Sequence, residues 1–476
     1  MTRTQYITTT LPYVNAEPHI GFALEIVRAD IYARYRRLLG DDVFFNTGTD
    51  EHGQKIYQRA RDEGKDPHGY VDEYAAKFRA LKEPLGLSED LHFIRTTDAH
   101  HKKAAQEMWR RCGKDIYKKK YKGLYCVGDE MFLKENDLVN GRCPNHPNSI
   151  PEEIEEENYF FKLSTYQERL EKYLSEGGVI LPDWRREEAL AFVRSGLEDL
   201  SVSREKSRLP WGIPVPGDDL QVMYVWFDAL TNYVSTLGWP EDENGDFKKY
   251  WENGEVMQIA GKDQIRFQSI IWQAMLMSAE IKNTDRVLYN GFITSGGQKM
   301  SKSIGNVIDP LSIVEEYGTD ALRYFLARHV HPFEDTDVTM EKFKEAYNAD
   351  LANGIGNTTA RIMKMAQEHL PAPIEVPSTP TLPEEFTKAL DSFEIQRACE
   401  MIDGKLSMLD AKIQETQPFK LVKTDKDAAR VIIRELATEL YKVARMLSPI
   451  IPATSEKIKQ AIKENKMPEA LFLRKD

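Results

Sequence analysis

The sequence lacks several features that would place the protein in a specialised class. Within its 476 residues no apolar run approaches the ~18 residues needed to span a bilayer. The N-terminal stretch MTRTQYITTTLPY has neither an apolar core region nor a small-residue cleavage site, so nothing predicts export. Only four cysteines occur, at irregular spacing, which excludes a disulfide-dense secreted scaffold and predicts a cytoplasmic location.

Basic residues are in the minority, and this balance limits the kinds of nucleic-acid binding that are open to the protein. The formal net charge is −12. That charge argues against general coating of nucleic acid but leaves room for a local basic groove, because binding depends on clustered Lys and Arg. Charged residues make up 29% and hydrophobic residues 41% of the chain, which predicts an ordinary globular protein of roughly two to four domains.

Strands alternate with helices in the first part of the chain. QYITTT predicts a strand, and HIGFALEIVRADIYARYRRLLG predicts a helix with Pro18 near its first turn and Gly40 past its end. DDVFFNTGTD is a second strand candidate, and VMQIAGKD and RVLYNGFITSGG resume the pattern after a turn-rich block at roughly 114–219. This order predicts an α/β fold with a parallel sheet split by an insertion, whereas the chain from Thr339 onward shows only helical periodicity.

Two lysines lie close together in the stretch TSGGQKMSKSIGN, residues 294–306. Gly296 and Gly297, together with the serines, predict a loop rather than a core element. Taken alone, Lys299 and Lys302 fit a solvated surface loop as well as a phosphate site, since backbone amides with lysine form a common anion cradle.

A second short stretch, PHIGF, decides between those two interpretations. His19 and Gly21 lie at the predicted helix start, where exposed amides and the helix dipole favour phosphate. A lone histidine there is more often a cap or a packing residue. Together, however, PHIGF and KMSKS resemble the HIGH and KMSKS signatures of class I aminoacyl-tRNA synthetases. The resemblance implies that Lys299 and Lys302 close over the triphosphate of ATP and stabilise charge as pyrophosphate leaves.

Five ordered motifs extend the resemblance to methionyl-tRNA synthetases, from residue 6 to about residue 423: TTLPYVNAEPHIG, NTGTDEHGQKI, YVWFDALTNY, GKDQIRFQSIIWQAM and GGQKMSKSIGN. The family implies that methionine is activated with ATP and Mg²⁺ to methionyl-adenylate and then transferred to tRNA(Met). It also implies five segments: a Rossmann-type catalytic domain in two halves (1–113 and 220–293), a connective insertion with a zinc-knuckle-like segment (114–219), the KMSKS loop with a stem-contact segment (294–345), and an α-helical anticodon-binding domain (346–476).

The resemblance also assigns the catalytic and binding residues. It gives the catalytic role to His19, Lys299 and Lys302, and ATP binding to these three with Gly21, Glu25, Gly261, Asp263 and Ile293. The methionine site would comprise Leu11, Tyr13, Asp50, Trp226, Ala229, Tyr233, Gln268 and Trp272, with Asp50 holding the ammonium group. Without the family, Asp50 fits better as the N-cap of a helix that starts at Glu51, and the aromatic residues fit a plain core.

Some positions depart from the family pattern. Phe22 stands where the signature has its second histidine, and Gln268 stands where a histidine commonly lines the methionine pocket. Gln264 and Leu230 replace an apolar residue and a frequent proline. Two rival interpretations therefore stay open, a non-catalytic tRNA-binding relative and a class I synthetase for leucine, isoleucine, valine or cysteine. The insertion of about 100 residues is too short for the editing domain of the first three of these.

Three residues of the helical region are candidates for anticodon recognition. Asn357 and Arg361 lie four apart, hence on one face of a helix. Phe419 stands where the family often has a tryptophan that stacks on the first anticodon base. Taken alone, Asn357 also fits a surface position and Phe419 a core ring. The chain ends soon after the helical region, from which we expect a monomer, to be checked by analytical ultracentrifugation.

The cysteines of the insertion have the spacing of a zinc knuckle. Cys126 is followed by Asp129, and Cys143 by His146, each after two intervening residues. Asp129 replaces a sulfur or nitrogen ligand of many relatives, so the alternative is a knuckle that has lost its metal. We expect a bound Zn²⁺, because three good ligands and one carboxylate oxygen complete a tetrahedron. The remaining cysteines, Cys112 and Cys399, have no partner at ligand spacing and are expected to be buried small hydrophobes.

Overall fold

The computed structural model of the chain describes residues 3–126, 131–133, 135, 138–144, 150–300, 306–377 and 381–476. Strands and helices alternate in the first part of the chain, as the sequence predicts. The elements are, in order, β1 (Thr4–Thr9), α1 (Ile20–Leu38), β2 (Asp42–Thr49), α2 (Gln54–Asp62), α3 (Pro67–Ala80), β3 (His92–Arg95) and α4 (Ala99–Arg111).

The block that follows is mainly short strands. Its elements are β4 (Ile116–Cys126), β5 (Met131–Leu133), β6 (Glu152–Phe161), α5 (Gln167–Ser175), β7 (Ile180–Leu181), α6 (Asp183–Arg194), β8 (Leu200–Ser201), β9 (Ser203–Glu205), β10 (Pro214–Val215) and β11 (Asp218–Met223). Four of these strands form an antiparallel sheet in the order β5, β4, β6, β8. The predicted insertion therefore has a β-sheet of its own.

Helices dominate the rest of the chain. The elements are α7 (Val225–Leu230), α8 (Asn232–Ser235), β12 (Glu255–Gly261), α9 (Trp272–Ala279), β13 (Arg286–Asn290), β14 (Ile293–Ser295), β15 (Gln298–Lys299), α10 (Pro310–Tyr317), α11 (Thr319–Arg328), β16 (Thr336–Asp337), α12 (Met340–Ala346), α13 (Asn357–His369), α14 (Glu384–Asp391), α15 (Ile395–Thr416), α16 (Pro418–Leu421), α17 (Lys426–Leu447) and α18 (Pro452–Glu464). No helix in the described ranges is long and apolar enough to span a bilayer.

The chain divides into two compact units. Unit 1 comprises Met1–Pro18, Asp41–Leu81 and Glu89–Tyr289, and unit 2 comprises His19–Gly40, Lys82–Ser88 and Asn290–Asp476. Unit 1 is built on a six-stranded sheet in the order β3, β2, β1, β12, β13, β7. β1 pairs in parallel with β2 and β12, so the carboxyl ends of these three strands lie at one edge of the sheet. The predicted α/β class, with a Rossmann-type parallel sheet and a helical C-terminal region, is confirmed.

The core of unit 1 lies on the sheet and is rich in aromatic side chains. Tyr6 on β1 packs edge-on against Phe44 on β2, and Trp251 packs edge-on against Trp272. Tyr6, Trp251 and Trp272 are each 0% exposed. The side chains on the two faces of the central strands are buried, which explains why β1 and β2 are apolar or hydroxyl-bearing along nearly their whole length.

One predicted strand is in fact two. RVLYNGFITSGG forms β13 in the large sheet, and after Gly291 it continues as β14 in a separate three-stranded sheet with β15 and β16. The break occurs at Gly291, where a Cβ atom would lie only 2.2 Å from the carbonyl group of Glu334. The backbone of this neighbouring segment approaches Gly291 so closely that a side chain would not fit at this position.

Candidate active site

Asp50 lies at the carboxyl end of β2, against the loop that follows β1. Its backbone N–H donates to the carbonyl oxygen of Pro12 at 3.0 Å, and its carbonyl oxygen accepts from the N–H of Val14 at 3.1 Å. The helix that follows begins at Gln54, after Gly53. Asp50 is therefore not the cap of a helix starting at the next residue. The two strand ends hold Asp50 beside Leu11 and Tyr13, which are also predicted to bind methionine.

The residue after Asp50 anchors this corner of the sheet. Glu51 is 0% exposed, and its carboxylate accepts two hydrogen bonds from Arg95, from Nε at 2.7 Å and from Nη2 at 2.9 Å. Thr49 and Thr97 also donate to it. A two-point bond between guanidinium and carboxylate fixes both groups in one plane. Sequence reasoning missed Glu51, although it lies inside the GTDEHG motif.

Several residues predicted to line the methionine site lie on α7, α8 and α9 of unit 1. Tyr233 on α8 lies with its ring centroid 5.7 Å from that of Trp272, and its hydroxyl accepts a hydrogen bond from Nε2 of Gln268 at 2.7 Å. Trp226 on α7 stacks on Phe267, with centroids 3.7 Å apart and planes 16° from parallel. Ala229, Tyr233, Gln268 and Trp272 are all buried. The structure therefore brings these predicted residues together and adds Phe267, which periodicity could not identify.

Gly261 is the last residue of β12, and Asp263 follows the carboxyl end of this strand. Because β12 pairs in parallel with β1, this end lies at the same edge of the sheet as Asp50. The chain turns here through a short 3₁₀ segment, Lys262–Gln264. The Asp263 carboxylate is exposed and accepts a hydrogen bond from Nε2 of Gln264 at 3.0 Å. An exposed acceptor at a strand end is compatible with the predicted ATP-binding role of Asp263.

In unit 2, the imidazole of His19 caps α1. Its Nδ1 accepts a hydrogen bond from the N–H of Gly21 at 3.0 Å. A Cβ atom at position 21 would lie 2.8 Å from the ring, so only glycine leaves room for it. Since Nδ1 is an acceptor, the neutral ring carries its proton on Nε2, a donor suited to a phosphate oxygen. Pro18 lies directly before this cap, near the first turn as predicted. Phe22 and Glu25 follow on α1, both half-buried.

The KMSKS stretch begins as a β-hairpin rather than as the predicted loop. Ser295 pairs with Gln298 across Gly296 and Gly297, whose φ angles of 63° and 72° are those of a tight turn with both central residues left-handed. Ile293 is buried at the start of this hairpin. The backbone of Lys299 pairs with β14, whereas Lys302 lies outside the described residues.

Both flanks of the KMSKS stretch are tied to described elements of unit 2. The carboxylate of Asp337 accepts hydrogen bonds from Gly297 N–H at 2.7 Å and from Oγ1 of Thr294 at 3.3 Å. On the far flank, the carbonyl oxygen of Ile308 accepts from the N–H of Ile20 at 3.1 Å, at the first turn of α1. The segment that follows the lysine stretch thus contacts the first turn of α1, next to the cap formed by His19.

The anticodon candidates lie in the helical region. Asn357 is exposed at the start of α13, and Arg361 follows one turn later. Nη1 of Arg361 is 2.6 Å from Oδ1 of Asp410 on α15, so part of its charge is already neutralised. Phe419 on α16 has 44% of its surface exposed. A ring this exposed is not a core residue, which removes the alternative reading of Phe419.

Two of the four predicted zinc ligands are described. Cys126 and Cys143 are each 1% exposed and belong to one small buried cluster with Leu133. Asp129 and His146 lie outside the described residues. Within the described ranges, no three His, Cys, Asp or Glu side chains form a group that could hold a metal ion. Cys112 and Cys399 are fully buried, as predicted, and burial raises the pKa of the Cys112 thiol to about 12.

Comparison with known proteins gives the family. A family model described as tRNA synthetases class I (M) matches residues 5–152 and 146–363, and the model of the anticodon binding domain of methionyl tRNA ligase matches residues 379–471. Methionine–tRNA ligase of Rhizobium meliloti is 41% identical over 473 residues, with 95% of this chain and 90% of that protein covered. The enzyme of Fusobacterium nucleatum is 39% identical over 477 residues, with 96% and 74% covered.

A solved structure extends the likeness to three dimensions. Methionyl-tRNA synthetase of Mycobacterium tuberculosis in complex with methionyl-adenylate matches with a TM-score of 0.90 and 33% identity over 100% of both chains. The fold and the matched models together define a class I aminoacyl-tRNA synthetase. Within that class, the chain belongs to the methionine–tRNA ligase family. This membership excludes the rival interpretation as a synthetase for leucine, isoleucine, valine or cysteine.

Proposed function

We propose that the chain activates methionine with ATP to methionyl-adenylate, releases pyrophosphate, and transfers the methionyl group to tRNA(Met). The observation that carries this proposal is the hydrogen bond between Ile20 and Ile308, which joins the segment after the KMSKS stretch to the first turn of α1. It supports one phosphate-binding site formed by His19 and the lysine stretch. Family membership supplies the substrate pair, methionine and ATP, with Mg²⁺ as the usual companion of the triphosphate.

The triphosphate would be bound mainly by residues of unit 2. We assign the phosphate contact to the Nε2 donor of His19, at a helix start where phosphate is favoured. The N–H of Gly21 already donates to Nδ1 of His19, so Gly21 would contribute by leaving room for the ligand. Lys299 and Lys302 would neutralise charge on the pyrophosphate as it leaves. Glu25, Ile293, Gly261 and Asp263 would hold the adenosine.

Methionine would be bound by residues of unit 1. Asp50 would accept hydrogen bonds from the ammonium group, and the side chain would lie among Leu11, Tyr13, Trp226, Ala229, Tyr233, Gln268 and Trp272. Aromatic rings make favourable contacts with a thioether. The hydroxyl of Tyr233 is already engaged by Gln268, so the amide performs the positioning role for which many relatives use histidine. No general base is needed, because the methionine carboxylate is itself the nucleophile and catalysis rests on positioning and charge stabilisation.

Methionine-dependent exchange of radiolabelled pyrophosphate into ATP tests the enzymatic proposal. A matched pair of variants sharpens the test, because Asn at position 19 can still cap α1 through its side-chain oxygen whereas Ala cannot. Both variants lose the Nε2 donor. We expect both to lower the exchange rate by roughly 10² to 10³, as for a lost transition-state donor, while His19→Asn keeps the stability of the parent. A folded parent protein without exchange would leave only the non-catalytic relative, for which Phe22 is the argument.

Transfer of the methionyl group requires recognition of tRNA. We propose that Asn357, Arg361 and Phe419 contact the anticodon, with the exposed ring of Phe419 stacked on a base. Arg361 forms an ion pair with Asp410, so its guanidinium would have to contact the RNA and Asp410 together or exchange one for the other. In this proposal residues 1–113 and 220–293 form the catalytic domain, 114–219 the connective insertion, 294–345 the KMSKS loop and the stem-contact segment, and 346–476 the anticodon-binding domain. Such a ligase would act in the cytoplasm, where buried thiols stay reduced.

We further propose that the insertion binds one Zn²⁺. The described ligands fit, because Cys126 and Cys143 bring two soft sulfur donors into one buried cluster. The metal would cross-link the end of β4, at Cys126, to the segment around Cys143, with Asp129 and His146 as the other ligands. Metal analysis of protein purified without added zinc tests this. Close to one equivalent is expected in the parent and in Cys112→Ser, and less than about a tenth in Cys126→Ser, where the thiolate ligand is lost.

A further inference from the structure

A buried charged network lies in unit 1 outside the residues assigned above. Both oxygens of Asp228 are engaged: Nδ1 of His52 lies 2.7 Å from Oδ2, and Nε2 of His101 lies 2.8 Å from Oδ1. The other ring nitrogen of His101 is 2.8 Å from Oγ of Ser235. These four residues are between 0% and 3% exposed. A carboxylate only accepts hydrogen bonds, so each histidine donates to Asp228.

The position of the network along the chain connects it to the methionine site. His52 lies two residues after Asp50, on the loop between β2 and α2. Asp228 lies on α7 directly before Ala229, and Ser235 lies on α8 two residues after Tyr233. The network therefore joins the loop that carries the ammonium partner to the two short helices that carry the side-chain pocket.

The charge on Asp228 explains why the network holds the loop and the two short helices together strongly. Burial raises the pKa of this carboxyl, but the facing imidazoles of His52 and His101 more than offset it and hold the pKa below its ordinary value. The group therefore stays ionised at neutral pH. A buried carboxylate is stable only while its partners stay in place, and removal of one partner is strongly unfavourable. The short helices α7 and α8 are thus fixed to the strand edge through this one anion.

We propose that His52, Asp228 and His101 are positioning residues that set the distance between the ammonium subsite and the thioether pocket. They touch neither substrate, and their effect is on methionine binding through Asp50, Ala229 and Tyr233. The inference rests on the proposed function, in which Asp50 holds the ammonium group. Loss of the network should let α7 and α8 move relative to Asp50, so that methionine no longer makes both sets of contacts at once.

Matched amide variants separate this role from simple core packing. An Asn side chain places its amide nitrogen near the imidazole Nδ1, and Gln places it near Nε2. At position 101, Gln keeps the donor to Asp228, whereas Asn keeps only the contact to Ser235. At position 52 the bond to Asp228 comes from Nδ1, so the order reverses: Asn keeps the donor and Gln loses it. At each position both variants bury a side-chain amide, but only one of the two can donate a hydrogen bond to the carboxylate of Asp228.

Pyrophosphate exchange gives the KM for methionine and the KM for ATP separately. For His52→Gln and His101→Asn we expect the methionine KM to rise roughly tenfold or more, the effect of one lost hydrogen bond to a charged group, with the ATP KM changed less than about threefold. His52→Asn and His101→Gln should stay within about threefold of the parent for both. Equal effects within each pair, or parallel rises in both constants, would overturn the proposal.

Two further variants distinguish failure of the network proposal from failure of the ammonium assignment to Asp50. Ser235→Ala removes a single oxygen atom from the edge of the network and is expected to raise the methionine KM about two- to threefold. If the histidine variants do not fold, an unchanged methionine KM in Ser235→Ala overturns the proposal. Asp50→Asn tests the underlying assignment by itself. If it leaves the methionine KM unchanged while the histidine pairs behave as expected, the ammonium assignment fails but the coupling of the network to the pocket stands.

Discussion

Arg28 offers the sharpest test of how unit 2 is held together. This arginine on α1 is 2% exposed, and in the described part of the chain its guanidinium donates to neutral oxygens. Nη1 donates to Oδ1 of Asn290 and to the carbonyl oxygen of Pro332, both at 3.1 Å. Nη2 donates to the carbonyl oxygens of Val330 at 2.6 Å, His331 at 3.1 Å and Leu326 at 3.3 Å.

Substitution Arg28→Met removes all five bonds and keeps most of the side-chain volume. At about 1 kcal/mol of net stabilisation for each bond, the loss is about 5 kcal/mol. Burial of the apolar Met side chain stabilises the fold by about 1 kcal/mol, so we expect the free energy of unfolding to decrease by about 4 kcal/mol. Arg28→Lys retains the charge but has three donors in place of five, which predicts a loss of about 2 kcal/mol. Burial lowers the pKa of Arg28 to about 9, so the native guanidinium is protonated at neutral pH.

Urea unfolding followed by circular dichroism at 222 nm measures these losses, because unit 2 contains most of the long helices. Arg434→Met is the matched control, since Arg434 is exposed on α17; we expect a change within about 0.5 kcal/mol there. The order parent, Lys, Met in decreasing stability is the expected result. If Arg28→Met loses no more than the control, the five bonds do not hold the turn after α11 to α1, and the reasoning is wrong.

Three further predictions concern other parts of the molecule. Asp337→Ala should raise the KM for ATP in pyrophosphate exchange several-fold while leaving the methionine KM nearly unchanged, because Gly297 loses its acceptor; Asp337→Asn should recover part of the effect. Phe419→Ala should raise the KM for tRNA by roughly 5- to 100-fold, the value of one base stack, with exchange unaffected, and equal losses in both assays would refute the assignment. Asp30 is buried, which raises the pKa of its carboxyl, but its pairing with Arg323 and a second arginine holds the pKa below the ordinary 3.8. The contribution of this carboxylate to the free energy of unfolding should therefore be complete above about pH 4 and should disappear as the pH falls through the lowered pKa. The difference in free energy of unfolding between the parent and Asp30→Asn should be smaller at pH 3 than at pH 7. An equal difference at the two pH values would contradict the pairing.

The sequence by itself determined the elements whose signal is local. β1, β2 and β12 follow from short β-prone runs, and α1 follows from helical periodicity with a capping residue and a glycine past its end. These patterns lie within single stretches of the chain, where backbone propensity and side-chain spacing act directly. The two signatures around His19 and Lys299 are also local, which is why the family and its chemistry could be predicted without a structure.

Only the tertiary structure decided how distant stretches meet. His52 and Asp228 are 176 residues apart in sequence, and Arg28 and Asn290 are 262 apart. The hydrophobic periodicity of a single segment cannot predict such a pairing, because each of these polar residues by itself also fits a surface position. The close approach at Gly291 is also a long-range feature, because the backbone of Glu334 that lies against this glycine is more than 40 residues later in the chain. Local propensity fixed which elements form, whereas the pairing of buried charges and close backbone approach decided which distant side chains and segments meet.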